Sequence, residues 1–147
     1  LSLVLGCDLV VASEDAYFTT AYSSIALSGD GGVSWLLPRI LGRRRAFELL
    51  LLADRFGADE ALRLGLANQV VMPDALDDAV ATLVRRICAG PRHTYAEMKR
   101  LLNESPDQSL GAQLQLEAEA FARCAAHADF DEGVNAFLGK RRPHFKA

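Results

Sequence analysis

Strand-like segments are confined to the front of this chain, and from Ala75 onward the apolar residues recur only at helical spacing. An order of strands first and helices afterwards is that of an α/β core that runs out into helices. The expected organisation is therefore the end of an α/β core over residues 1–73 followed by a helical region over 74–147. Asp8–Ser13, short and β-branched, predicts a strand buried on both faces. Ala16–Thr20 predicts a second by its aromatic and β-branched content, and Ala67–Met72 a small third one before Pro73. Ala46, Phe47, Leu49, Leu50 and Leu51 predict a broadly buried helix over 43–53, ended by Asp54–Gly57. A shorter one runs from Ala58 to Leu64 and stops at Gly65. Beyond Pro73, helices are predicted from Ala75 to Ala89, after Pro91, through Leu110, Leu114, Phe121 and Ala125, and through Phe130, Val134, Phe137 and Leu138.

Composition narrows the function classes. At 50 % apolar and 24 % charged, the 147 residues have material for one globular core. Asp8, Arg39, Arg43, Asp54 and Asp74 break every apolar stretch well short of the ~20 residues a spanning helix needs, so a soluble protein without membrane contact is expected. A net charge of -3 gives no broad reason to bind nucleic acid, and the run Arg43, Arg44, Arg45 reads as a solvated helix start. Cys7, Cys88 and Cys124 are widely spaced and form no metal-ligand pattern, which fits a reducing, cytoplasmic setting without a metal. His93, His127 and His144 lack a partner pattern and read as surface residues. Leu1–Gly6 opens in an apolar stretch with no initiator Met, basic flank or capping residue; the expectation is an element entered midway, with further sequence before it.

The most informative stretch is Ser28-Gly29-Asp30-Gly31-Gly32-Val33-Ser34-Trp35-Leu36-Leu37-Pro38, where three glycines surround one carboxylate just before a helical pattern. Glycine permits backbone conformations and close approaches closed to other residues. By the local pattern alone, an Asp in that place is most often a simple helix N-cap, its carboxylate taking partners from the helix amides.

Four blocks taken together carry a resemblance: Cys7–Glu14 with Ala16 and Phe18; Asp30-Gly31-Gly32 running to Leu37-Pro38-Arg39 and Gly42; Ala58, Glu60-Ala61, Gly65-Leu66 and Asn68; and Glu132-Gly133, Ala136-Phe137, Lys140-Arg141, Pro143 and Phe145. Their order and spacing resemble the crotonase (enoyl-CoA hydratase/isomerase) superfamily across nearly the whole chain. The resemblance implies a spiral ββα core, a carboxy-terminal helical region that packs in trimers or hexamers, and acyl-CoA thioester substrates with no separate cofactor. It also implies an oxyanion hole of two backbone amides, whose matching segments would precede Leu1. Such a hole is often the largest catalytic contribution, so this stretch alone is not expected to be active.

Hydratases of the superfamily use two glutamates, and the matching positions here are Ser2 and Tyr22. Neither is a carboxylate, which disfavours syn hydration by that route. Asp30 instead matches the acting aspartate of isomerase-type members similar to the phenylacetate-pathway ring-opening isomerases. The resemblance thus implies Asp30 as the acid/base, with Ser2, Tyr22, Ile25, Gly31 and Trp35 as substrate-lining residues. Partial burial among Ile25, Leu27, Val33 and Trp35 is expected to raise the Asp30 pKa. Phe121 resembles an aromatic on the pantetheine side, and Lys140 a lysine that meets the CoA phosphate. The leading expectation is an enoyl-CoA isomerase. An enoyl-CoA hydratase and a non-catalytic assembly or RNA-binding member are the alternatives.

Overall fold

The computed structural model describes residues 1–145. The chain divides into two compact units, Leu1–Ala81 and the residues from Thr82 on. The division falls inside a helix, Leu76–Cys88.

In the first unit a short helix α1 (Ser2–Leu5) leads to strand β1 (Val11–Ser13). β1 pairs in parallel with β4 (Gln69–Val71), in the register Val11 to Gln69 and Ser13 to Val71. Asn68 begins that pairing: its side-chain Oδ1 accepts the Val10 N–H at 2.7 Å while its own N–H donates to the Val10 carbonyl at 2.8 Å. β1 is shorter than the predicted Asp8–Ser13 and is buried only at Ala12; among the described residues it pairs on one edge, with β4, and Leu9 before it stays 46 % exposed. Strand β2 (Tyr17–Phe18) pairs antiparallel with β3 (Phe56–Gly57). Residues 56 and 57 thus do more than terminate a helix: Phe56 stacks on Phe18 with ring centroids 5.7 Å apart.

Helices fill the rest of the unit. α2 (Val33–Leu41) and α3 (Arg43–Leu52) are separated by Gly42, whose φ of 76° breaks the helical path. α4 (Ala58–Arg63) follows β3 directly. Val33 and Leu37 of α2 are fully buried and form the core with Leu5, Ala12, Ala46, Leu49, Ala58, Ala61, Leu66 and Ala67. The abundance of Ala lets these elements approach closely, at the density typical of protein interiors. Arg45 donates to Glu48 and Glu60, and Arg63 also pairs with Glu60, tying α3 to α4. Hydrogen bonds from Arg63 and then Arg45 hold the Glu60 carboxyl below its ordinary range. Arg43 and Arg44 are exposed at the start of α3, as the sequence predicted.

The second unit takes in the end of α5 (Leu76–Cys88), then α6 (Arg92–Glu104), α7 (Leu110–Ala125) and α8 (Ala128–Leu138). Ser109 caps α7, its hydroxyl accepting the Ala112 N–H. Glu97 of α6 accepts from Arg123 of α7 at 2.8 and 2.9 Å, and Glu132 of α8 accepts from Arg141 at 2.6 and 2.8 Å. One histidine departs from the surface reading: His93 is half-buried and stacks on His127 at 4.7 Å between ring centroids. His127 is exposed as expected, and its Nδ1 accepts the Asp129 N–H to cap α8. Among the described residues the buried Nε2 of His93 has no hydrogen-bond partner. No helix among them is long and apolar enough to cross a membrane.

Candidate active site

The loop at 28–32 ends on Gly32, and it is Gly32, with φ of 82°, that occupies the N-cap position of α2. No side chain caps that helix. Asp30 contributes only its backbone carbonyl, which accepts the Val33 N–H at 3.2 Å. Its carboxylate is therefore not spent on helix amides, and the structure removes the N-cap role that the local pattern favoured.

The carboxylate partner comes from another segment. Tyr22 Oη donates to Asp30 Oδ1 at 2.5 Å, and Ser2 Oγ lies 3.1 Å from Tyr22 Oη. With the single phenolic proton directed at Asp30, the serine hydroxyl is the donor to the phenol, giving a chain Ser2 to Tyr22 to Asp30. Ser2 is 8 % exposed, and Tyr22 is half-buried against the core of the unit.

Local backbone features hold Tyr22 in place. Ala21 and Ala26 flank its turn in left-handed conformations, φ 55° and 59°, each costing about 1 kcal/mol for a residue with a Cβ. Strain of this kind persists where surrounding contacts over-determine the backbone. Those contacts are present. Thr20 Oγ1 donates to the Leu49 carbonyl and Thr19 Oγ1 to that of Ala53, both at 2.9 Å, while the Tyr22 carbonyl accepts from Ile25 and Leu27. The sequence reading missed the two threonines; their signal is a pair of β-branched hydroxyls directly after a strand.

Ser2, Tyr22, Asp30 and Gly31 are thus brought together, but the described residues do not form the apolar enclosure expected around Asp30. Asp30 is exposed, and Ile25, Leu27 and Trp35 are 68, 60 and 46 % exposed. Ile25 and Leu27 lie on either side of the left-handed turn at Ala26 and are turned outward, so only Val33 of the four is buried. Trp35 carries Arg39 over its ring face at 3.7 Å. Phe121 and Lys140 belong to the second unit. Phe121 lines an apolar groove of about 560 Å³ with Met98, Leu101, Phe130, Val134 and Phe137. Lys140 is exposed in the turn after α8, with φ of 49°. Asp30 lines neither this groove nor the small cavity beside Arg45 and Phe56. Among the described residues, no group of three or more His, Cys, Asp or Glu is arranged to hold a metal.

A carboxylate with one oxygen tied to a phenol and the other open is equipped to accept and return a single proton. The unit that carries this loop combines short paired strands with packed helices, the make-up of an α/β protein. The chain belongs to the enoyl-CoA hydratase/isomerase family, whose profile matches residues 1–147. It is 38 % identical to the 1,2-epoxyphenylacetyl-CoA isomerase of Escherichia coli, over 98 % of this chain and 55 % of that protein. To the crotonyl-CoA hydratase of Syntrophomonas wolfei it is 34 % identical, over 97 % of this chain and 55 % of the relative. Among solved structures, an enoyl-CoA hydratase from Polaromonas superposes with a TM-score of 0.94 at 39 % identity, covering 99 % of this chain and 56 % of the other. The chain spans about half the length of the curated relatives it matches.

Proposed function

We propose that the full-length protein is an acyl-CoA isomerase in which Asp30 moves a proton along the acyl chain. In this reading the thioester acidifies a neighbouring C–H bond and Asp30 takes that proton. The electron pair delocalises into a dienolate, and the proton returns two carbons away as the double bond shifts. One carboxylate suffices, since the proton removed is the proton returned. The observation that carries the proposal is the state of the Asp30 carboxylate: free of the α2 amides, bonded to a phenol and, among the described residues, with no second carboxylate bonded alongside. Hydration by two glutamates has no counterpart in Ser2 and Tyr22. The exposed Ile25, Leu27 and Trp35 supply apolar surface near Asp30 in the chain for an acyl group. The reading includes a CoA thioester as substrate, no further cofactor, a cytoplasmic setting and assembly as a homotrimer or hexamer.

Replacing Asp30 by Asn in the full-length protein is expected to lower turnover of a 3-enoyl-CoA by about a hundredfold or more, the usual share of a general acid/base. Undiminished turnover would refute the assignment. Incubation with crotonyl-CoA in heavy-oxygen water separates the competing hydratase reading, which requires label in a hydroxyacyl product.

A further inference from the structure

We infer that Tyr22 is the positioning residue of Asp30, fixing which carboxylate oxygen handles the proton, and that Ser2 acts through Tyr22 by orienting its phenol. The inference rests on the reading of Asp30 as the acid/base and assigns a task to two residues that the resemblance placed only as substrate lining.

The geometry has one consistent hydrogen assignment. Tyr22 Oη is 2.5 Å from Asp30 Oδ1, and a carboxylate has no proton to give, so the phenol donates. Ser2 Oγ, 3.1 Å from the phenolic oxygen, then donates in turn. Among the described residues no hydrogen bond engages Asp30 Oδ2, which leaves that oxygen as the one that accepts a proton from carbon and returns it. A freely rotating surface aspartate would present two equivalent oxygens. The phenol removes that equivalence and leaves one of them open to solvent.

Three further features show that the chain of contacts is built rather than incidental. Ser2 is buried, so its hydroxyl is not a surface group that found a chance partner. A Cβ placed on Gly31 would stand 2.9 Å from the Ser2 Cβ, so the residue next to Asp30 is pressed against the residue that holds Tyr22. Two alanines in left-handed conformation bracket the Tyr22 turn, and strained backbone of this kind clusters at working sites.

The test compares Tyr22→Phe, Ser2→Ala and the double substitution in the full-length protein, with a 3-enoyl-CoA as substrate and Asp30→Asn as reference. Phe keeps the ring against the core, and Ala keeps the Cβ against Gly31, so each change removes a hydroxyl alone. Tyr22→Phe should lower kcat about tenfold, the size of one hydrogen bond to a charged group, with KM nearly unchanged. Ser2→Ala should lower kcat by less, and add nothing in the Tyr22→Phe background. If Asp30→Asn abolishes turnover but Tyr22→Phe leaves kcat where it was, or acts on KM alone, the inference fails and the Asp30 reading stands. Additive effects of Ser2→Ala and Tyr22→Phe overturn the claim that serine works through the phenol. Full activity in Asp30→Asn removes the underlying reading itself.

Discussion

Gly31 rests on Ser2: any side chain on the glycine would begin 2.9 Å from the serine Cβ, and the glycine backbone has φ of 57°. Both facts penalise the same substitution. Gly31→Ala should lower the stability of the protein by about 1–3 kcal/mol, the range for a strained backbone combined with a steric clash. Urea unfolding measures it. Adding Ser2→Gly should recover part of the loss, since it removes the clash and leaves the backbone strain. An equal loss in both backgrounds would mean that the two residues are not in contact.

Thr20 is 5 % exposed, and its hydroxyl donates to the Leu49 carbonyl. Thr20→Val keeps the shape and deletes the donor, so it should cost about 1–2 kcal/mol. Thr19→Val deletes a half-buried bond to Ala53 and should cost less, because water can replace part of what is lost. The comparison of the two denaturation midpoints decides whether burial or bond number sets the effect.

α2 offers an internal contrast between two large side chains. Leu37 is fully buried, and Leu37→Ala should cost about 2–5 kcal/mol through lost burial and the cavity left behind. Trp35, two residues earlier, is 46 % exposed and carries Arg39 over its ring. Trp35→Ala should cost below about 1 kcal/mol, the value of an exposed cation–π contact. Equal losses at the two positions would contradict the orientation of α2.

What the sequence made legible follows from how local each signal is. The helices after Pro73 were legible because repeated apolar spacing, Gly90-Pro91 and Ser105-Pro106 mark them within the segment itself. β3 was not, because two residues, Phe56 and Gly57, carry no periodicity and become a strand only by pairing with Tyr17 and Phe18. Asp30 stood out through the glycine loop, and Ser2 and Tyr22 through their spacing from the neighbouring blocks. Their hydrogen-bond chain was not legible, since Ser2, Tyr22 and Asp30 are separated by 20 and 8 residues and meet only through tertiary folding. The enclosure of Asp30 failed for a related reason: apolar neighbours in sequence, such as Ile25 and Leu27, flank a left-handed turn that directs them outward.

Acid should act on the helical unit through two glutamates. Glu97 is held at about 2 by hydrogen bonds from Arg123 and then Arg100. Glu132 is held at about 2 by Arg141 and then by the His144 N–H. Both lie below the ordinary value of 4.5, so the folded state binds fewer protons than the unfolded chain as the pH falls. Stability then falls with falling pH. The contribution of each ion pair is complete above 4.5, declines as the pH drops from there, and is gone below about 2. Thermal unfolding followed across that window should show the midpoint falling as acid is added. Glu97→Gln and Glu132→Gln, which cannot titrate, should each flatten the slope while lowering the midpoint at neutral pH. A slope identical in the double variant and the unsubstituted protein would place the acid sensitivity on other carboxylates.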